Sequence, residues 1–551
     1  MDLIVSSMKR EINKYASPEE VIHKGTCTIH KIPQHIREVD QCSYEPIVLS
    51  IGPYHQGAQA LLSMEKEKWK SLDFILKTNC NKTLHDYLKV TAKLEKQARK
   101  CYSEEIKMER KQFVKMLLLD VCFALVKIDG SVSTALRDLN HYGPNGTNGG
   151  NSDTITEKTG SSRRQVNNGI SIRSMSSKSM HQYENLVPEM EFFNDNVSCT
   201  TLGRSSTNNG KELQSPSDSN VLGDWYSVSA WHDLFLLENQ IPFFVIDRIY
   251  RFVMDGIMMD ASPAEKFSES VEDILRQFPI AIKETDRPKQ YHHFLHLCHM
   301  YLRPSQKTAE IYENPIKPGY LYRLLHFGHN YAGISHKSEG SNQSILPIQQ
   351  RDCFQTDQLP SRWRQATQYH EAGIGLVKRE YSKYEKHSLL DIKFSYGVVE
   401  IPCFPVDENT ESLFKNLIAF EQADPRVGND ITAYAVFLSQ FVSTLEDAML
   451  LTEKGIIIHM LDSDDEVPAL FTRISKQVVF GSDDYYYLKS LCWVLEAHYQ
   501  SRLNRWLAWL WRNHFSNPWL ALAVLAAVVV LLCTVIQTIF TVLAYIKPPE
   551  S

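Results

Sequence analysis

The sequence lacks the excess of positive charge that nucleic-acid binding requires. Its 551 residues carry 59 lysines and arginines against 65 aspartates and glutamates, giving a net charge of −6. Because nucleic-acid backbones are bound mainly through basic side chains, nucleic acid is not expected as a partner. The apolar fraction of 43% is ordinary for a globular protein with a core.

The sequence also lacks the short motifs of several enzyme classes. It contains no phosphate-binding P-loop, no HExxH zinc motif and no GxSxG nucleophile elbow. The acidic run DSDDE at residues 462–466 lacks the glycine and the spacing of a calcium loop. We therefore expect a protein that is not an enzyme, with no catalytic residues and no cofactor.

Paired cysteines are absent as well. The 11 cysteines include no CxxC pair, and their spacing forms no disulfide framework. Free thiols in a reducing compartment are therefore expected. Four glycosylation patterns keep the opposite, translocated topology open, because acceptor asparagines are modified in secreted parts of proteins. They lie at Asn81, Asn145, Asn196 and Asn342.

One long apolar run is present near the C-terminal end. Residues 519–546 contain no charged side chain, and Trp519 and Ile546 are its limits. As a helix of about 1.5 Å per residue the run is about 42 Å long, more than the roughly 30 Å of hydrocarbon in a bilayer. We predict a transmembrane helix there, followed by a short tail at residues 547–551.

The residues beside this run indicate its orientation. Arg502, Arg505, Arg512 and His514 precede it, and only Lys547 follows. By the positive-inside rule, the large N-terminal part faces the cytosol. Charges follow the first few apolar residues of the chain at once, which is unlike a secretory signal. The expectation is a single-pass, tail-anchored membrane protein.

Aromatic residues cluster at both ends of the apolar run. Tryptophan and tyrosine are enriched where a membrane meets water, because their rings are amphipathic. The set comprises Trp506, Trp509, Trp511 and Trp519 on one side and Tyr545 on the other. These residues resemble interfacial anchors, which supports the predicted span.

The remaining chain divides into two ordered parts and a tract of low complexity. After an N-terminal segment at residues 1–26, residues 27–130 and 223–515 form the two parts of one domain. Residues 131–222 between them are dominated by Gly, Ser, Asn and Thr. Such a composition cannot bury enough surface to offset its ordering entropy, so this insert is predicted to be disordered. Residues 305–358 form a second, shorter loop-rich segment.

Helical periodicity dominates both ordered parts, so the predicted fold class is mainly α with a minor β part. FVKMLLLDVCFALV at residues 113–126 is apolar on nearly all faces and predicts a central buried helix, in which Asp120 needs partners. Residues 93–115 interleave charges of both signs, which is typical of a solvated helix face. Alternation around Tyr396 and Gly397 predicts a β-hairpin.

Further elements are predicted from turn residues. Residues 27–57 form short extended pieces punctuated by proline and glycine. A helix is predicted from Ile431 onward, with Gly455 as its C-terminal cap. The last helix of the domain is predicted to run from about Tyr485 toward the membrane.

The stretch DLFLLENQIPFFVID at residues 233–247 places a polar break inside an apolar run. Glu238, Asn239 and Gln240 lie at its centre, so it is not a membrane span. Pro242 suits the first turn of a second helix, and the first helix is predicted to end near Asn239. The three polar side chains either pair with orphaned backbone groups at the helix ends or form a binding cluster.

Histidines concentrate in YHHFLHLCHM, residues 291–300. On a helix His292, His296 and His299 share one face with Cys298 nearby, an arrangement that is able to ligate zinc. Apolar side chains surround them, which favours a packed helix with hydrogen-bonded histidines. No metal site is therefore predicted.

Taken together, these motifs resemble a plant-specific family known as domain of unknown function 247. LLENQIPFFVI looks like its central motif, and the other landmarks fall in the family's order. They are YEPIVLSIGPYHQG from Tyr44, Met64-Glu65, ARKCY from Ala98, FVKMLLLDVCF from Phe113, EAGIG from Glu371, IPCFPVDENTESLFKNLIAFEQ from Ile401, KGIIIHML from Lys454 and HFSNPW from His514. The resemblance covers residues 29–546 apart from the insert.

Two residues depart from the family's pattern. Val121 stands where members usually have Gly, which implies looser helix packing, and Gln56 stands where they have a second His. The resemblance implies membrane association through a C-terminal span and no established catalytic activity. Some grass members are implied as pollen determinants of self-incompatibility, acting with small secreted stigma proteins.

Two functional hypotheses follow. The first is a plasma-membrane recognition protein that binds a protein or peptide partner, as in pollen–stigma discrimination. The second is a cytosol-facing, tail-anchored scaffold with a stress or signalling role. The two differ in topology, because a secreted partner needs a binding surface outside the cell, whereas the arginines before the span favour a cytosolic domain.

Overall fold

The fold is known from a computed structural model of the chain. It describes residues 2–15, 28–79, 81–128, 224–255, 262–305, 362–382, 385–480, 486–510 and 518–546. The predicted disordered insert, nearly all of the loop-rich segment and the acceptors Asn145, Asn196 and Asn342 lie outside these residues.

Helices make up most of the described residues, as predicted. Before the insert these are α1 Asp2–Tyr15, α2 Gln34–Arg37, α3 Leu62–Thr78, α4 Leu84–Arg99 and α5 Arg110–Phe123. After it come α6 Asp224–Leu234, α7 Phe243–Val253, α8 Pro263–Ile274, α9 Phe294–Leu302, α10 Ala366–Glu371, α11 Thr410–Ala423, α12 Asp430–Phe441, α13 Leu445–Glu453, α14 Glu466–Ile474, α15 Lys489–Gln500, α16 Arg502–Leu510 and α17 Pro518–Ile546.

Short strands form two small sheets. The strands are β1 Gly375–Arg379, β2 Lys393–Ser395, β3 Val398–Pro402, β4 Phe404–Val406 and β5 Ile457–His459. β2 and β3 form the predicted antiparallel hairpin, closed by Tyr396 and Gly397 at φ 50° and 77°. β1 pairs in parallel with β3, and β4 in parallel with β5. Parallel pairing joins strands distant in sequence, so local alternation does not reveal it.

The predicted central helix is confirmed. Every side chain from Met116 to Ile128 is buried, and the helix continues past Phe123 as one π-helical turn. α5 packs against α3, α4 and α7, which come from both sides of the insert. The two ordered parts therefore share one hydrophobic core.

The charged stretch at residues 93–115 is not one solvated helix. α4 ends at Arg99, and α5 begins at Arg110. The Arg99 guanidinium donates to the carbonyl oxygens of Ile106 and Met108 at 2.7 and 2.8 Å. The Arg99 side chain thus holds the loop between α4 and α5 in place, because a guanidinium can donate to several carbonyl groups at once.

Other helix boundaries also differ from the predictions. Gly455 is the predicted cap, at φ 65°, with its N–H donating to Thr452. The helix from Ile431 is broken, however, because Thr444 caps a new helix through a reciprocal pair with Asp447. The predicted last helix is likewise broken at Ser501, between α15 and α16.

Residues 27–57 contain no strand of the two sheets among their described members. They hold the one-turn helix α2, a short 3-10 turn and a single β-bridge between Ile29 and Tyr102. Side chains from elsewhere satisfy the backbone groups of this segment instead, and those side chains define the candidate site.

Candidate functional site

The polar junction, residues 238–240, lies in the connection between α6 and α7. α6 ends at Leu234, five positions before the predicted end at Asn239. Pro242 is the N-cap residue of α7 rather than part of its first turn. All three side chains are buried: Glu238 is 3% exposed, and Asn239 and Gln240 are fully buried.

Asn239 forms hydrogen bonds with the backbone of residues 49–51, which precede the insert in the sequence. Its Oδ1 accepts from the N–H of Ile51 at 2.7 Å, and its Nδ2 donates to the carbonyl of Leu49 at 2.8 Å. Nδ2 also donates to the carbonyl of Asp233 at 2.9 Å. The amide thus acts as a piece of β-ladder, since it offers the donor and the acceptor that a neighbouring strand would supply.

Gln240 closes the ends of two helices. Its Nε2 donates to the carbonyl oxygens of Leu234 and Leu236 at 2.6 and 2.7 Å, and its Oε1 accepts from Leu295 in the first turn of α9 at 3.3 Å. Its backbone carbonyl accepts from the Tyr102 hydroxyl at 3.1 Å. These are orphaned backbone groups of the kind that the sequence predicted as partners.

Glu238 carries the charge of the junction. Oε1 accepts from the N–H of Ile32 at 2.6 Å, and Oε2 pairs with Arg37 at 2.5 Å. His55 lies 3.5 Å from the same oxygen. Burial lowers the pKa of His55, although the Glu238 carboxylate acts in the opposite direction.

Asp233 belongs to the same network, although only the residue triplet was singled out from the sequence. Its carboxylate accepts from the N–H groups of Ile47, Val48 and Leu49 at 2.8, 2.7 and 2.7 Å. His232 approaches it at 3.0 Å. An acidic residue directly before the apolar run at residues 234–237 was the signal for this role, because a buried charge needs compensating donors.

A buried ion pair between Lys68 and Asp120 contacts the same segment at Ser50 and Gly52. The Lys68 ammonium, fully buried, contacts Asp120 at 2.7 Å, Glu65 at 2.5 Å and the Ser50 carbonyl at 2.5 Å. Asp120 also accepts from the N–H of Gly52 at 2.8 Å. Burial acts to lower the pKa of Lys68, but the Asp120 and Glu65 carboxylates outweigh it and hold that pKa above its ordinary value. Asp120 thus has the partners that the sequence required.

Asn416 on α11 ties the junction to the second half of the domain. Its Oδ1 accepts from Leu237 at 2.9 Å, and its Nδ2 donates to the carbonyl oxygens of Ser43 and Ser412, both at 2.8 Å. The junction therefore connects α6, α11 and the segment before α3. Apart from Glu238 Oε2, which pairs with Arg37, the side-chain groups of residues 238–240 bond to the chain's own backbone.

The histidine helix, α9, is arranged differently. His293 is its N-cap: Nδ1 accepts from His296 at 3.2 Å, and Nε2 lies 2.9 Å from the Thr28 carbonyl. His299 pairs with Glu421 at 2.8 Å. Glu421 in turn accepts from the first N–H groups of α12, which a helix N-terminus favours.

The histidine face considered for zinc is a packed one. His292 and His296 stack at 4.8 Å, and the rings of His293, His296 and His299 surround Phe420. Burial and the neighbouring histidines lower the pKa of His296 to about 3. Within the described residues no group of three or more possible ligands is placed to hold a metal ion. Cys298 is buried.

The remaining sequence candidates lie apart from the junction. Asp464, in the acidic run, pairs with His459 at 2.7 Å. Asn81 is exposed, two positions before Thr83, the N-cap of α4. Among the described helices, only α17 is long and apolar enough to cross a membrane. The candidate span within it is Leu522–Val542.

The sequence is similar to known plant proteins over most of its length. The model of the DUF247 family, described as "Plant protein of unknown function", matches residues 29–533. The UPF0481 protein At3g47200 of Arabidopsis thaliana is 24% identical over 536 residues, which are 96% of this chain and 89% of that protein. The putative UPF0481 protein At3g02645 of the same plant is 23% identical over 223 residues, 40% of each chain. No solved structure matches.

Proposed function

The chain belongs to the DUF247 family of plant proteins, as its motifs predicted, and from this premise we propose that it is a non-enzymatic, membrane-anchored recognition protein. It acts by binding a protein or peptide partner. In its more specific form it is a pollen determinant of self-incompatibility at the plasma membrane.

The observation that carries the anchorage is α17. Its central 21 residues, Leu522–Val542, have a mean hydropathy of 2.7, and the segment is not buried inside the protein. A helix of this length in water would expose apolar side chains on every face, which is costly at about 25 cal/mol per Å². A bilayer removes that cost.

The buried junction supports a role without catalysis. The amide groups of Asn239 and Gln240 bond to backbone groups of the same chain. Glu238 bonds to the Ile32 N–H through Oε1 and pairs with Arg37 through Oε2. These polar atoms are occupied by the fold rather than presented to a substrate. Variation among relatives can then occur on the surface while this frame is kept. Recognition of a partner uses exposed positions, as protein interfaces do.

The second candidate is a cytosol-facing, tail-anchored scaffold. It is favoured by Arg502 and Arg505, which are exposed just before the span. Cationic residues flanking a span favour the cytosolic side. This candidate predicts broad expression and little polymorphism, whereas the recognition protein predicts pollen expression and polymorphism at exposed positions.

Topology is the measurement that separates the two candidates. The full chain is expressed in plant cells, and membranes are extracted with alkaline carbonate before N-glycans are removed enzymatically. Resistance to extraction is expected from the proposed anchor; release of the chain would contradict it. A mobility shift on glycan removal would place the domain outside, where a secreted partner binds. A constant mobility, with protection from external protease, would favour the scaffold.

Asn81 is the reporter best suited to this experiment, because it is exposed in the folded domain. The matched control is Asn81→Gln, which removes the acceptor and should abolish its share of the shift. Thr83→Ala is unsuitable as a control, since the Thr83 side chain caps α4 together with Asp86. Loss of such a cap costs about 1 kcal/mol and would confuse folding with topology.

A further inference from the structure

α16, the last helix before the span, carries an exposed face of mixed chemistry. Arg502, Arg505, Trp506 and Trp509 are all exposed, with Trp506 57% and Trp509 54% accessible. Their spacing of i, i+3, i+4 and i+7 places them within about 100° of one another around the helix. α16 packs against α15 and α10. The Arg505 guanidinium lies 5.9 Å from the Tyr499 ring of α15, at the edge of this face, while both indoles stay more than half exposed.

The two residue types on this face suit the layer between water and hydrocarbon. An indole ring has an apolar body and one N–H donor, and it concentrates at the headgroup level of membranes. A guanidinium binds phosphate groups through paired N–H donors. Neither arginine of this face forms an ion pair with a carboxylate of the described residues, whereas Arg364 nearby is paired with Glu496.

Chain length keeps this face close to the membrane. Leu510 ends α16 and Pro518 begins α17, so eight residue steps separate them. At no more than about 3.5 Å per step, the connection spans at most about 28 Å. Trp519, 78% exposed, then begins the apolar helix. When α17 crosses the bilayer, α16 therefore lies within reach of the headgroups on the side of the folded domain.

The geometry points to a membrane-surface site: the face formed by Arg502, Arg505, Trp506 and Trp509 lies on the headgroup layer of an anionic bilayer. The indoles insert at the interface and the guanidinium groups bind lipid phosphates. This contact holds the folded domain against the membrane surface, so that the domain is not attached through the connection to α17 alone. The inference rests on the proposed anchorage by α17 and adds a second, peripheral contact.

The test uses the full chain in nanodiscs that contain phosphatidylserine and phosphatidylcholine brominated along the acyl chain. Bromine quenches tryptophans that insert beside it. Emission is compared between the wild type and the double variant Trp506→Phe, Trp509→Phe, so that the difference reports these two of the nine tryptophans. We expect this difference emission to be blue-shifted and quenched. The control, Trp69→Phe on α3, removes an exposed tryptophan and should remove only unquenched emission.

Charge dependence is tested with Arg502→Gln and Arg505→Gln. Each should weaken the surface-bound state about fivefold in anionic discs and have little effect in pure phosphatidylcholine, since a basic residue near an anionic surface contributes about 1 kcal/mol. An equal effect in both lipids would overturn the assignment of these arginines to anionic headgroups.

The outcomes separate this inference from the anchorage. A wild-type chain that fails to enter discs would contradict both. A chain that inserts, but whose Trp506 and Trp509 emission is red-shifted and unquenched, would overturn the surface site alone. Emission shielded from aqueous acrylamide but not quenched by bromolipid would also overturn it, because a second copy or another protein would then cover the face.

Discussion

The polar junction and the histidine helix both place polar side chains inside apolar sequence, but they use different side chains and different contacts. In the junction the amide and carboxylate atoms bond to distant backbone groups, as Asn239 does with Leu49 and Ile51. On the histidine helix the rings pack on Phe420 and on one another. Among the residues that the structure describes, none is a hydrogen-bond partner of His299 Nδ1.

The comparison of the Asn239 and Gln240 amides with the histidines of α9 separates groups that do not titrate from groups that do. A carboxamide has no proton to gain or lose near neutral pH, so its bonds specify tertiary pairing at every pH. Burial lowers the pKa of His296, so its imidazole is neutral in the fold and adds a dependence on pH to the stability. Asn239 and Gln240 therefore hold the two halves together independently of pH, whereas His296 makes their packing sensitive to acid.

The largest expected effect comes from adding one carbon at the junction. A Cβ at Gly52 would overlap the Gln240 carbonyl oxygen and lie 3.3 Å from the Tyr102 hydroxyl, at a φ of +78°. Overpacking and a strained φ together should lower the free energy of unfolding of Gly52→Ala by about 3–5 kcal/mol. Urea unfolding of the detergent-solubilised chain, followed by circular dichroism, measures this.

Gly57→Ala is the matched control for that change. Gly57 has a similar φ of +86°, but nothing lies within 4 Å of an added Cβ. Only the backbone strain remains, so about 1–2 kcal/mol should be lost. Equal losses in both variants would show that the close approach of Gln240 is not what constrains Gly52.

The next effect is expected when the central amide is replaced. Asn239→Leu keeps a side chain of similar size but leaves the N–H of Ile51 and the carbonyl oxygens of Leu49 and Asp233 unpaired. The free energy of unfolding should fall by about 2–4 kcal/mol, since each buried unpaired group is costly. Asn409→Leu, where the side chain makes no capping bond, should change stability little. A small loss at Asn239 would mean that water replaces the amide.

The third prediction tests the titratable side of the comparison. The pKa of His296 is about 3 in the folded protein against 6.5 when unperturbed. As pH falls, the His296 imidazole takes up a proton in the unfolded chain before it does so in the folded protein. The stability that the neutral His296 contributes is therefore complete above pH 6.5 and is lost progressively as pH falls toward 3. At pH 4 the loss due to His296 should reach about 3 kcal/mol. Urea midpoints measured between pH 7 and pH 4 give this dependence.

His296→Phe should flatten that profile, because a phenyl ring takes no proton. The control His85→Phe changes a histidine that is exposed in the folded domain and should leave the slope as it is in the wild type. A profile that stays unchanged in His296→Phe would assign the acid sensitivity to other groups.

The smallest effect concerns one hydroxyl at the edge of the junction. Tyr102 is fully buried and donates to the Gln240 carbonyl at 3.1 Å. Tyr102→Phe keeps the ring and should reduce the free energy of unfolding by about 1 kcal/mol. Tyr301→Phe removes a hydroxyl of the histidine helix that is bonded to Ser268 on α8. It should lower the free energy of unfolding by a similar amount. A loss above about 3 kcal/mol at Tyr102 alone would indicate a cooperative network around Gln240.

Local rules predicted what depends on neighbouring residues. The Tyr396–Gly397 turn, the cap at Gly455 and the buried helix around Asp120 follow from side-chain type and periodicity, and all are present. The end of α6 was predicted too late. Proline restricts only the residue before it, whereas the Gln240 side chain captures the Leu234 carbonyl and stops the helix earlier.

The partners of the junction were beyond such rules. Glu238, Asn239 and Gln240 could be selected from their polarity, but Ile32, Leu49 and Ile51 lie on the far side of the insert. A backbone group carries no sequence signature, so nothing in residues 27–57 marked them as targets. For the same reason the segment was predicted only as short extended pieces punctuated by proline and glycine.

The separation of these partners has a consequence for synthesis on the ribosome. The bond between Asn239 and Leu49 joins residues 190 positions apart. At about 5–20 residues per second, roughly 10–40 s pass between the emergence of one partner and the other. During that time the segment before α3 has exposed backbone groups and no junction to receive them. The low-complexity insert accounts for nearly half of this delay, so a shorter insert would shorten the interval before the junction can form.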